Sequence, residues 1–226
     1  TESGRFILIN IHDHADTSEV WLIDAQKPAA EPQLISKRNT GISYDVCDHG
    51  NKLIIRTNID GAVDFKITET PIDNLTPENW ADVVLHRPGC LIRSTLLFED
   101  FLVRLEREAA LPRIVIRDLL TNEEHTISFD EEAYDLTLHP GYEYKTTVLR
   151  FAYSSPKTPQ QVYDYDMETR QRVLRKEQEV PSGHDPEKYI CRRIMTPSQD
   201  GVEIPVTILY HKDTPIDGSA AMLLYG

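Results

Sequence analysis

No run of this sequence approaches the ~18 consecutive apolar residues of a membrane-spanning helix, and its start, Thr1-Glu2-Ser3, has neither the basic residues nor the apolar stretch of a secretory leader. Cysteine is scarce. Cys47, Cys90 and Cys191 lie 43 and 101 residues apart, match no zinc-ribbon or redox spacing, and leave an odd thiol over. That usage fits a reducing compartment, so a cytoplasmic location is the expectation. Glycine is sparse as well: none of the 10 stands two positions from another, and both the dinucleotide and the nucleotide-phosphate loops are absent. Basic residues are the minority, 24 Lys and Arg against 37 Asp and Glu. The resulting net charge of −13 repels a phosphate backbone, so neither nucleic acid nor membrane is an expected partner.

What the chain does contain is 40% hydrophobic and 27% charged residues, interleaved over 226 positions. This is enough for a soluble globular protein with a sizeable core. The informative feature is a repeat. GRFILIN from Gly4, NKLIIRTN from Asn51, EDFLVRLE from Glu99 and TVLRFAYS from Thr147 share an apolar anchor, read at Phe6, Leu53, Phe101 and Leu149, with steps of 47, 48 and 48. Alternating β-rich segments follow: VWLID ending at Asp24, a looser version near Phe65 to Thr68, IVIRD ending at Asp118, and VYDYD ending at Asp166. Turn-forming stretches separate them, including His12 to Ser18, Asp60-Gly61 and Ser155 to Pro159. Third runs appear at Gln33 to Ser36, His125 to Phe129 and Arg172 to Leu174, and a fourth, irregular run leads into the next repeat. Four strands per period of about 48 residues point to a β-propeller rather than a β-sandwich, which needs no equal spacing of matched positions. Three and a fraction repeats cannot close a ring, so blades are expected upstream. Thr76-Pro77-Glu78-Asn79-Trp80 reads as a short helical turn between blades, with Thr76 as its cap.

After about Val180 the period stops, and Pro181, Gly183 and Pro186 mark a linker. Cys191 to Thr196 and Val202 to Tyr210 then read as a hairpin turned by Asp200-Gly201, and Ala220 to Tyr225 as a buried strand. The start without Met and the end on Leu223-Leu224-Tyr225-Gly226 give the expectation that the sequence is a piece of something longer.

Several segments carry a resemblance: NWADVVLHRPG from Asn79, LEREAALPR from Leu105, LRFAYSSPKTPQQVYDYDMET from Leu149, SGHDPEKY from Ser182, and PSQDGVEIPVTILYHK followed by LLYG. In these the chain resembles the prolyl oligopeptidase family of serine peptidases. Arg87-Pro88-Gly89 and Tyr163-Asp164-Tyr165-Asp166-Met167 place it nearest the oligopeptidase B branch, also called protease II. The resemblance implies a mostly β chain, a partial seven-bladed β-propeller followed by the first strands of an α/β-hydrolase domain. Residues 1–180 would be propeller blades in an incomplete ring, 181–190 the interdomain linker, and 191–226 the truncated start of the peptidase domain. It also implies a serine oligopeptidase of the intact protein, cleaving short peptides after Arg or Lys, with the propeller gating access to the active site and meeting the hydrolase domain of the same chain. Short basic peptides are then the partners, and no cofactor or metal is expected. The nucleophile of such an enzyme sits on a Gly-x-Ser-x-Gly elbow. The nearest match, Gly41-Ile42-Ser43-Tyr44-Asp45, lacks the second Gly. The catalytic triad and the oxyanion-hole Tyr are therefore expected downstream of Gly226, and this chain alone is expected to be inactive. The alternatives are a non-enzymatic propeller scaffold, disfavoured by the lack of a Trp-Asp dipeptide and by the departure from the repeat at Tyr189, and a prolyl-specific sibling peptidase.

Other candidates have simpler readings. His12-Asp13-His14 and Asp45, Cys47 and His49 look like metal-ligand sets, but both are read as solvated turn residues. The Tyr and Asp pairs of Tyr163 to Asp166 fall on opposite faces of a strand. Ser154-Ser155 fits a turn before Pro156. Adjacent His184 and Asp185 cannot orient one another as in a triad, and Gly183, His184, Asp185 and Pro186 are read as hinge candidates. Arg192, Arg193, Arg150 and the run from Arg104 to Glu108 are candidates for interdomain ion pairs.

Overall fold

The computed structural model describes residues 1–13 and 17–225; His14 of the His12-Asp13-His14 set lies outside them. Four antiparallel sheets follow one another along the chain. The first holds β1 (Phe6–His12), β2 (Ser18–Asp24) and β3 (Gln33–Leu34), and the second β4 (Tyr44–His49), β5 (Lys52–Thr57), β6 (Lys66–Pro71) and β7 (Ala81–Val84). The third holds β8 (Cys90–Leu97), β9 (Phe101–Glu108), β10 (Leu111–Asp118) and β11 (Glu124–Thr126). The fourth holds β12 (Asp135–His139), β13 (Val148–Ser154), β14 (Gln161–Asp166) and β15 (Gln171–Glu177). Within each sheet the spatial order is the chain order, as in the meandering blades of a propeller. The first strands lie inside: β4 lies against both β2 and β8, and β12 against β10. The last strand is outermost, and β15 is exposed along its whole length.

Three apolar cores fill the spaces between consecutive sheets. Phe6, Val20 and Leu22 pack against Leu53 and Ile55. Ile54 and Ile67 meet Ile92, Leu97 and Leu102, and Phe101, Val103, Ile114 and Ile116 meet Leu149, Phe151 and Tyr165. The second and third sheets therefore bury both faces, and this sets the register of the repeat. Strands β2, β6, β10 and β14 end at Asp24, Pro71, Asp118 and Asp166, and the ladder pairs these with Phe6, Lys52, Phe101 and Val148. Leu53 and Leu149 are thus one residue out of register with Phe6 and Phe101, and they face the opposite way. A spacing of about 48 locates a strand but does not fix which of its two faces a residue occupies.

The recurring Asp has a local cause. Asp118 Oδ1 accepts from the backbone N–H groups of Leu120 and Thr121, both at 2.8 Å, and Asp166 Oδ1 from Glu168 and Thr169 at 3.0 and 2.7 Å. Each closes the turn into the outer strand. The segment at Thr76 is a 3-10 turn over Pro77–Asn79, between β6 and β7 and so within a sheet rather than between blades. Thr76 does not cap it; its hydroxyl receives the Asn79 amide instead. Asp45, Cys47 and His49 sit on β4, not in a turn, and share one face of it.

Beyond Glu177, a 3-10 turn at Pro186–Lys188 leads into β16 (Tyr189–Pro197), which pairs antiparallel with β17 (Glu203–His211). The strand begins inside the range read as linker. The predicted turn is present, with Gly201 at φ +81° and Ser198 N–H donating to the Val202 carbonyl at 2.8 Å. Ala220 to Tyr225 forms no strand, and Met222, Leu223, Leu224 and Tyr225 are exposed. An apolar run becomes a strand only when a neighbouring ladder satisfies its backbone, and none of the described strands lies beside this one.

Candidate functional site

Three loops on one end of the propeller converge on the start of the C-terminal hairpin. They are the β9–β10 turn at Ala109, the β11–β12 loop at Glu132 and the β13–β14 loop at Lys157. Glu132 accepts from the backbone N–H of Arg193 at 2.8 Å and pairs with the Arg192 guanidinium at 3.4 Å. The Arg193 guanidinium donates to the Ala109 carbonyl. His184 Nε2 donates to the Lys157 carbonyl at 2.6 Å, and its ring stacks on Tyr189, which meets His211 edge-on.

The four hinge candidates lie in this junction. Gly183 takes φ +81° with open space around it. Asp185 caps the following turn by accepting from Glu187 N–H at 3.1 Å, and Pro186 opens that turn. Of the arginines read as interdomain, Arg192 and Arg193 do reach from hairpin to propeller. Arg104 and Arg150 do not. Arg150 is held by Asp164 across β13 and β14 at 2.7 and 3.0 Å, with Arg175 on the same carboxylate.

Arg104 belongs to a buried network in the third sheet. Its Nε donates to Glu106 at 2.9 Å, and its two terminal nitrogens grip both oxygens of Glu124 at 2.8 and 2.9 Å. Arg113 takes the other oxygen of Glu106 at 2.6 Å and Glu108 at 2.6 Å, while Arg87 reaches Glu108 at 3.1 Å. Cys90 lies among them, its thiol 3.3 Å from Glu106 and 2.8 Å from Arg87. A cavity of about 240 Å³ opens beside this cluster. Arg117 adds a further guanidinium 3.5 Å from Glu124, so four guanidiniums face three carboxylates and the cluster carries one positive charge in excess. Burial pushes the Glu106 carboxyl up, but Arg104 and Arg113 more than offset this and hold it below the usual carboxylate range. Glu124, bonded to Arg104, is also lowered.

Among the described residues, none of these clusters assembles a nucleophile and its base. The described histidines with polar partners bond a carbonyl (His49, His184), accept from a backbone N–H (His86 from Asp64, His211 from Asp213) or meet a phenol (His125). All three cysteines are free. Burial, with the charges of Glu2, Asp45 and Asp48, pushes the Cys47 thiol up to about 12, and burial also raises Cys90 and Cys191. Among the described residues no group of three His, Cys, Asp or Glu can hold a metal ion. Tyr163 and Tyr165 pack in the core between the third and fourth sheets, while Asp164 and Asp166 carry the ion pairs and turn already described. Ser155 closes the turn after β13, accepting from the N–H groups of Lys157 and Thr158. Glu132 was not singled out from sequence. Its only signal is the acidic trio Asp130-Glu131-Glu132, a pattern that solvated loops commonly show.

Residues 1–178 match the family described as prolyl oligopeptidase, N-terminal beta-propeller domain. The chain belongs to the prolyl oligopeptidase family. Among curated relatives it is 36% identical over 226 residues to "Dipeptidyl aminopeptidase BI" of Pseudoxanthomonas mexicana, covering 100% of this chain and 31% of that protein. It is 28% identical to "Protease 2" of Moraxella lacunata, covering 100% of this chain and 32% of that protein. Among solved structures, oligopeptidase B from Trypanosoma brucei in its closed form superposes on 96% of this chain and 32% of its own, with a TM-score of 0.87 and 26% identity. Oligopeptidase B from Leishmania major gives 0.82 over 95% of this chain and 33% of its own, also at 26% identity. The chain thus spans about a third of the length of the family members it matches.

Proposed function

We propose that this chain is the gating portion of a serine oligopeptidase that cleaves short peptides after Arg or Lys. In this reading, residues up to Glu177 supply propeller blades, and 189–211 supply the first strands of a hydrolase domain that carries the Ser, Asp and His. The observation that carries it is the likeness to oligopeptidase B over 96% of the chain, hairpin included. A ring of blades set over a catalytic chamber admits extended peptides and excludes folded proteins, so selection is steric. The charge of −13 favours the approach of basic peptides, weakly at physiological salt.

A second reading is supported by the 36% identity to a dipeptidyl aminopeptidase, namely removal of dipeptides from free N-termini. The experiment is hydrolysis by the full-length protein of matched fluorogenic peptides with Arg, Lys, Pro or Phe before the scissile bond, each with a free and a blocked N-terminus. Fast cleavage of blocked Arg and Lys peptides is the expected result. Cleavage confined to free N-termini would favour the second reading, cleavage only after Pro the prolyl-specific sibling, and no hydrolysis at all the scaffold.

A further inference from the structure

We propose that Glu132 is a positioning residue: the clamp it forms on Arg192 and Arg193 fixes the C-terminal hairpin on the propeller and sets how readily the two part. The proposal rests on the gating reading above. Two of the three loops that meet the hairpin offer only backbone carbonyls, Ala109 and Lys157. Glu132 alone offers a side chain, and it does two things with it: one oxygen takes the Arg193 amide on the edge of β16 away from β17, and the other faces the Arg192 guanidinium. A carboxylate accepting from a backbone N–H is a charge-assisted bond whose geometry fixes the strand as well as holding it. Among the described residues, the hydrogen bonds and ion pairs from the hairpin to the propeller stop at Arg193. Beyond it, Ile194, Met195 and Ile204 are 44%, 48% and 48% exposed. A strand held at one end keeps its place but not its angle, which is the mechanical requirement of a pivot. The Arg192 and Glu132 side chains are 60% and 49% exposed, so the ionic half of the clamp is open to screening by salt.

The test uses the full-length protein, with hydrogen exchange of the 189–197 segment as its first readout. Glu132→Ala is expected to speed exchange there about threefold to tenfold, with β5 and β9 unchanged. Glu132→Gln keeps an oxygen for the Arg193 amide but loses the ion pair; it is expected to fall between the two and to lose the wild-type acceleration by salt. As the second readout, Glu132→Ala is expected to raise kcat/KM for long peptides relative to short ones, where a merely structural defect lowers both alike. Wild-type exchange in both variants, or a parallel loss for long and short peptides, would overturn the proposal. Should Glu132→Ala fail to fold, the salt response of Glu132→Gln decides alone, and a retained response overturns it. A wild-type protein that hydrolyses no peptide would sink the gating reading, while the exchange measurement still decides whether Glu132 fixes the hairpin.

Discussion

Glu106 illustrates how a charged residue survives between two sheets. It is 3% exposed and bonds Arg104 and Arg113 together, so its removal takes a buried counter-charge from two guanidiniums at once, leaving Arg104 only Glu124 and Arg113 only Glu108. Glu106→Ala is expected to cost about 3–5 kcal/mol in urea unfolding, against less than about 1 kcal/mol for removing an exposed partner such as Arg87. The same groups set the acid response. Glu106, Glu124 and Asp164 all titrate below their ordinary values in the folded chain, because guanidiniums favour their charged forms. The unfolded chain then takes up protons first as pH falls. The stability these groups contribute is present above the unfolded carboxylate values of about 4.3 for Glu and 3.9 for Asp, and is lost as pH drops from there through the folded values. Thermal melts should therefore be flat in this respect from pH 7 to about 5 and fall steeply below about 4; a fall centred near pH 6 would point to histidine instead. The cysteines give a third expectation. With Cys47 raised to about 12 and Cys90 and Cys191 also raised, the folded chain should react slowly with a thiol reagent at pH 7 and take up three equivalents only on unfolding.

At the scale of strands and turns, the β9–β10 connection carries visible strain. Ala109 and Ala110 take φ of 48° and 62°, the left-handed pair that a two-residue hairpin turn requires and that Asn-Gly normally supplies. Ala110→Gly, alone or with Ala109→Asn, is expected to raise stability by about 0.5–1 kcal/mol in the same urea assay, the steric relief exceeding the entropy that Gly loses. A loss of stability would mean that the turn is held by its neighbours rather than by its own backbone. Strands like these were legible because alternation and β-branched residues are local properties: VWLID, IVIRD and VYDYD fall on β2, β10 and β14. The facing of Tyr163 and Asp164 followed from period two alone. What could not be read was whatever depends on a partner distant in sequence. Arg104 meets Glu124 across two strands, a pairing no spacing rule supplies, so it looked available for another domain. Leu53 and Phe101 looked equivalent until the ladder set them on opposite faces. Ala220 to Tyr225 has the composition of a buried strand but no ladder beside it. Glu132 gains its role only from where the hairpin lands.

For the molecule as a whole, the sheets show one apolar face without a cover. Ile7, Ile9 and Ile11 occupy the positions that Leu53, Ile55 and Thr57 hold in the second sheet, as the pairing of Phe6 and Lys52 with Asp24 and Pro71 requires. The second-sheet residues are fully buried against the first sheet, whereas the three isoleucines are 43%, 40% and 37% exposed. Residues 1–226 expressed alone are therefore expected to bind an apolar dye and to associate in gel filtration, and Ile7→Ser with Ile9→Ser to reduce both. A sharp monomer peak with cooperative melting would contradict that. The central claim is that this chain gates a serine peptidase without supplying its catalytic groups. It is tested most directly by treating the full-length protein with a fluorophosphonate probe and mapping the modified residue by peptide mass spectrometry. The account predicts a single adduct, on a serine outside residues 1–226, with peptide hydrolysis abolished in parallel. An adduct on a serine within residues 1–226 that abolished hydrolysis, or full hydrolysis after saturating treatment with no adduct anywhere, would contradict it.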